Sequence, residues 1–292
     1  AHAYAERITS WTALAAFVLR RIGRLWPLHV VLLLAFIAIE LALLVVQGRG
    51  LLLGFRPAFT DWSPASAILP NLVLVQALGT HEFPTFNRPS WSISTELYGN
   101  FLLGLVWLLL PGRRALVAAL AIAAVSAAVV MTWSPSYMRT VVGTAYFRCT
   151  FGLSVGLLTY ELLRRMPSRE TGSATAVELA CLGLVGVFVW NAGETIWTML
   201  APPVFGVAVL VFAREQGSVS RLFRSAPFVR LGDCSYSIYM VHVFVQGRIL
   251  DVLKHTDRRF AVAPSGHVVA APASHRQDHP CATGWHRRAA RL

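Results

Sequence analysis

The stretch LWPLHVVLLLAFIAIELALLVV, residues 25–46, decides the fold class of this chain. It carries one carboxylate, Glu40, and one imidazole, His29, and is otherwise apolar. Crossing the roughly 30 Å hydrocarbon core of a bilayer takes about 20 such residues. Runs of the same kind recur at 91–110, 115–133, 142–163, 174–193, 197–213 and 231–250, which makes seven. An eighth stretch, 65–80, is shorter and is interrupted by Pro64 and Pro70, so it could be re-entrant, interfacial or spanning.

Composition agrees with that stretch. Only 14% of the 292 residues are charged and 55% are apolar, with a mean hydropathy of +0.57. A soluble domain carries roughly 25% charge, so a charged shell cannot be built here. Disordered chains are poor in aromatics and rich in charge, and that class is excluded by the same values. The expectation is an all-α, polytopic transmembrane helix bundle of seven or eight spanning or re-entrant segments, packed through small residues and polar stripes.

The net charge of +12 could point to nucleic acid, but its form points to a membrane. Every basic residue except Lys254 is arginine, and most lie in short clusters between apolar runs. Such clusters set orientation, whereas a nucleic-acid surface gathers them on one face of a soluble domain. If 65–80 does not cross, one side holds Arg7, Arg20, Arg21, Arg24, Arg113, Arg114, Arg164, Arg165, Arg169, Arg214, Arg221, Arg224 and Arg230, and the other only Arg49, Arg56, Arg88 and Arg139. If it crosses, the asymmetry collapses. The non-crossing reading is therefore preferred, with the arginine-rich side cytoplasmic.

Cys149, Cys181, Cys234 and Cys281 lie far apart without a CxxC, so neither a disulfide framework nor a metal site is expected. Residues 1–250 are expected to form the membrane domain. Residues 251–292 hold five of the nine histidines and the only lysine without helical periodicity, and read as a basic tail, disordered or frame-shifted. The chain opens on Ala1 without a signal segment, as in the middle of a reading frame.

Three stretches are too polar for plain lipid-facing helix. In residues 17–28, Arg20 and Arg24 share a helical face with Arg21 beside them, expected at the cytoplasmic mouth of the first span. Three guanidiniums there could clamp a phosphate, or serve only as a topology signal. In residues 87–98, Ser92, Glu96, Gly99, Asn100 and Leu103 form one stripe. A carboxylate inside a span faces a protein or water-filled interior, so Glu96 is an acid, a base, an orienter, or half of a structural ion pair with Arg148. In residues 231–242, Ser235, Tyr239, His242 and Gln246 share a face. His242 is either a proton carrier or a histidine hydrogen-bonded across the bundle. Gly152 and Gly156 are spaced for close helix packing. Pro202-Pro203 should kink its segment, and Trp26, Trp62, Trp91 and Trp133 should anchor span ends.

Together, in this order, the three stretches resemble the integral-membrane acyltransferase-3 family. Arg20-Arg21-x-x-Arg24-Leu-x-Pro27 is similar to its arginine-rich entry to a span. Pro89-Ser-Trp-Ser-Ile-Ser-Thr-Glu96 resembles its Pro-Ser-Trp-Ser-Leu-Ser-x-Glu signature, and Gly232-x-x-Ser235-Tyr-Ser-Ile-Tyr-x-x-His242 its late motif. The resemblance covers about residues 1–250. It implies a multi-pass enzyme of the inner (plasma) membrane with no bound cofactor. Such an enzyme moves an acyl group, commonly acetyl, from acyl-CoA to a hydroxyl of a cell-surface, exported or lipid-linked saccharide. Membrane lipid, and not nucleic acid, is then its surrounding partner.

By the same resemblance Arg20, Arg21 and Arg24 meet the donor and Glu96 and its stripe lie toward the acceptor; Glu96 is the candidate catalytic residue, with His242 the candidate to stand in for the family's base. Ser90, Trp91, Ser92, Asn100, Arg148, Ser235 and Tyr239 are structural or acceptor-side. The family's opening spans, with an Arg-then-His motif, and its final span have no counterpart here, so an inactive truncated acyltransferase is the second expectation. A transporter is the third, weakened because neither the Ser-Trp-Ser nor the Arg-rich segment is repeated.

Overall fold

The computed structural model describes residues 8–50, 56–110, 112–166 and 173–261, with side chains to residue 249. Contacts divide the chain into two units, residues 1–247 and 248–292. Nine α-helices follow one another among the described residues: α1 (Trp11–Gly48), α2 (Ile68–Leu72), α3 (Trp91–Leu109), α4 (Arg113–Trp133), α5 (Ala145–Arg165), α6 (Ala174–Ala192), α7 (Ala201–Phe212), α8 (Ser218–Phe223) and α9 (Ala226–Ala261). No strand occurs among the described residues. Of the expected tail, residues 251–261 are helical and 262–292 lie outside the described residues, as do Arg7, Arg169 and Cys281.

Four stretches are long and apolar enough to cross a bilayer: Trp11–Gly48, Arg88–Leu109, Arg113–Trp133 and Ala174–Ala192. α5 has the length too, at 21 residues, but carries Arg148, Glu161, Arg164 and Arg165. The bundle turns its apolar side outward. Val117 is 67% exposed and Val187 63%, while His29, Asn71, Ser94 and Ser154 are fully buried. A water-soluble protein does the reverse; here lipid meets the apolar surface, and the polar groups satisfy one another inside.

Short loops make consecutive helices antiparallel, and the ends separate by charge. Arg113, Arg114, Arg164, Arg165, Arg214, Arg221 and Arg224 gather where α3, α5 and α7 end, next to the start of α1, whose Leu14 and Phe17 pack near Leu105 and Leu108. At the opposite end the 3-10 turns Tyr137–Arg139 and Ile196–Leu200 meet, with Arg139 paired to Glu194. Residues 65–80 form a 3-10 turn and the five-residue α2, too short for a crossing.

α1 begins at Trp11, ahead of the apolar run, where the Ser10 hydroxyl caps it by accepting from the Ala13 N–H at 3.1 Å. Trp26, at the start of that run, donates its indole N–H to the Leu72 carbonyl at 2.9 Å. Two local expectations need correction. Pro202-Pro203 start α7 instead of kinking it, since a first-turn proline loses no helix bond. Gly152 and Gly156 do not pack against a helix, for a Cβ built on either meets nothing within 4 Å. The close approaches occur at Gly99, Gly104 and Gly206, where an added Cβ would lie 2.8 Å from Leu153, Leu14 and Thr159 respectively.

Candidate functional site

The site is built where α1 and α3 run antiparallel at close range. Gly104 admits Leu14, and Ile93 and Leu97 pack with Leu25 and Leu32. That register sets Arg21 beside Glu96, and Arg21 Nη1 donates to Glu96 Oε1 at 2.5 Å. Arg21 lies ten residues into α1, about 15 Å along its axis, ahead of the apolar 25–46 run. Its guanidinium also stacks over the Phe17 ring at 5.2 Å. Arg20 and Arg24, one residue before and three after, are exposed. The three arginines thus do not converge: one turns inward and two face out.

Arg148, the expected partner of Glu96, is engaged elsewhere. It donates to the Thr140 carbonyl at 2.8 Å and lies over the Trp91 ring at 4.8 Å. The reason is register: α5 begins at Ala145, so Arg148 stands level with the start of α3, more than a turn from Glu96.

The signature serines hold the scaffold. Gln76 donates to both the carbonyl and the hydroxyl of Ser90 at 3.1 Å, and the Ala77 N–H to the Ser94 hydroxyl at 3.4 Å. Ser92 donates to the Pro89 carbonyl at 2.9 Å, and Asn100 to the Glu96 carbonyl at 2.7 Å. On α9, Tyr239 donates to the Pro89 carbonyl at 3.4 Å and joins the late motif to the middle one. Ser235 donates only to its own helix, at Gly232. His242 is exposed and bonds the Tyr239 carbonyl at 2.6 Å. No hydrogen bond joins it to Glu96, so the two expected catalytic residues do not form a dyad.

A cavity of about 410 Å³ opens from the Arg21 side of the pair, between α1, α3, α5 and α7. Its polar side chains are Arg21, Asn100 and Tyr160; apolar side chains, among them Phe17, Trp107 and Leu157, form the rest of the wall, with Gly104, Gly152 and Gly156 leaving room. That volume falls within the roughly 300–1,000 Å³ of small-molecule sites. A guanidinium at the rim of an apolar hollow offers a planar fork of N–H donors, which in a low-dielectric setting polarises a carbonyl more strongly than in water.

Several anchoring residues escaped the sequence reading. Tyr236 donates to the Leu25 carbonyl at 2.5 Å, and Asn87 to the Met240 carbonyl at 3.0 Å, together fixing α9 on the site. Tyr236 lies inside a recognisable motif, but nothing in its spacing says that it reaches α1. Glu178 accepts from the backbone of Gly217, Val219 and Ser220 and from the Ser220 hydroxyl, tying α6 to α8. Glu40 pairs with Arg56 and accepts from the Phe59 N–H. His29, fully buried, bonds the Asn71 carbonyl at 2.8 Å.

Comparison with known proteins points the same way. A family model described as an acyltransferase domain matches residues 2–273. Acyltransferase MdmB of Streptomyces mycarofaciens is 27% identical over 268 residues, an alignment covering 82% of this chain and 64% of that protein. The chain thus spans a little under two thirds of that relative's length. No solved structure matches.

Proposed function

The chain belongs to the acyltransferase-3 family, and from that premise we propose that it transfers an acyl group from acyl-CoA to a hydroxyl of a cell-surface or exported saccharide. Glu96 holding the Arg21 guanidinium at the rim of an apolar cavity is the observation that carries this reading. The acceptor oxygen attacks the thioester carbonyl carbon, the C–O bond forms and the C–S bond breaks. The hydroxyl proton is lost and the departing thiolate ends as a thiol, so charge and protons balance. Arg21 stabilises the oxyanion that develops on the carbonyl. Glu96 is a positioning residue that keeps the guanidinium aimed. The apolar walls keep water from the thioester, which would otherwise be hydrolysed.

Arg20 and Arg24, exposed beside Arg21, offer charge to the CoA phosphates. Trp91, Arg148 and Tyr239, clustered at the start of α3, offer aromatic faces and donors to a saccharide. The setting is the inner (plasma) membrane, with the arginine-rich end facing the cytoplasm.

The test is thiol release and acyl transfer by the full chain in proteoliposomes, supplied with radiolabelled acyl-CoA and a saccharide acceptor. Arg21→Ala should lower kcat by about 10²–10³-fold, the range for losing an oxyanion donor. Glu96→Gln, which keeps the shape and removes the charge, should lower it by about tenfold or more. Undiminished transfer in both variants sinks the assignment.

A further inference from the structure

Resting on the acyltransferase reading above, we infer that the cavity beside Arg21 takes the hydrocarbon chain of the donor acyl group, and that Gly152 and Gly156 set how long that chain can be. The donor is then an acyl thioester longer than acetyl.

Three observations carry this. First, the cavity is polar only near Arg21, Asn100 and Tyr160, and otherwise apolar. A hydrocarbon chain suits such walls, whereas the two amides of a pantetheine arm would have to find their side-chain partners among Arg21, Asn100 and Tyr160. Second, the part of the lining that α5 supplies extends from Gly152 to Leu163, eleven residues or roughly 16 Å. An acetyl group whose carbonyl meets Arg21 would leave most of that space unfilled.

Third, the two glycines stand apart from the others at helix contacts. At Gly99, Gly104 and Gly206 an added Cβ would lie 2.8 Å from a neighbour. At Gly152 and Gly156, which line the cavity, it would meet nothing within 4 Å. Helix packing therefore does not require glycine at these two positions. What a side chain there would take away is cavity space, one helical turn apart along the same wall.

The experiment measures kcat/KM of the full chain in proteoliposomes for acetyl-, butyryl-, hexanoyl- and octanoyl-CoA with a fixed acceptor. Wild type should favour the longer donors, gaining up to about fourfold per methylene buried. The series Gly156→Ala, Gly156→Val, Gly156→Leu, with Gly152→Ala alongside, should shorten the preferred chain stepwise. The octanoyl-to-acetyl ratio should fall about tenfold or more in Gly156→Leu. The alanine variants fit without moving a neighbour and guard against a folding defect in the larger ones. If wild type uses acetyl-CoA but no longer donor, or if the ratio stays constant across the series because lipid tails fill the groove, the inference falls and the acyltransferase reading stands. If no acyl-CoA is turned over, that reading falls and takes the inference with it.

Discussion

Arg21 and Glu96 lie seventy-five positions apart and form an ion pair. Residues that share one function are grossly non-additive when removed. A double-mutant cycle is therefore diagnostic: Arg21→Ala with Glu96→Ala should cost about as much kcat as Arg21→Ala alone, because without the guanidinium there is nothing left to aim. Additive losses would mean independent roles. Sequence alone identified both residues but paired the carboxylate with Arg148. Periodicity places a side chain on a helix face, whereas which helix lies opposite, and at what register, is set by packing. Gly104 and Gly99 decide that register here by letting α1 and α5 approach α3.

At the scale of elements, the helices that frame the site are held by bonds their own spans do not advertise. Gly217 sits against the Glu178 carboxylate, where a Cβ would overlap it. Gly217→Ala should destabilise the fold by about 1–3 kcal/mol, as overpacking does. Gly183→Ala, whose Cβ meets nothing within 4 Å, should not lower the melting temperature in detergent. Tyr236→Phe keeps the ring and removes the bond to the Leu25 carbonyl. A loss of about 0.5–1.5 kcal/mol is expected, together with a slower reaction if α9 helps close the acceptor side. The segment between α1 and α3 was the least legible element. It places Phe59, Asp61, Leu74 and Phe86 at φ values of 56°, 52°, 59° and 51°, a region side chains rarely adopt. Turn propensities gave no warning of it; buried bonds from Gln76, Asn71 and Asn87 impose it.

For the whole molecule, two ends of opposite character follow from chain direction and charge. Arg113, Arg165 and Arg224 share one end, and the Arg139–Glu194 pair marks the other. Single cysteines at Ser136 and at Arg114 should therefore label from opposite sides of sealed vesicles with an impermeant maleimide. Labelling of both from one side would overturn the topology. The outer shell, with residues such as Val117 and Val187 largely exposed, should make the protein soluble only in detergent or lipid.

Composition and apolar run length determined by themselves that the chain is a helical membrane bundle, because a bilayer demands long apolar helices whatever their arrangement. Motif order pointed to acyl transfer, and the arginine asymmetry to the sidedness. Only tertiary structure decided that Arg21, and not Arg20, Arg24 or Arg148, meets Glu96, that His242 stands apart from it, and that Gly152 and Gly156 open a hollow instead of closing a contact. Those facts depend on the register between helices distant in sequence, and no local pattern encodes it: register emerges from packing the whole set of side chains at once.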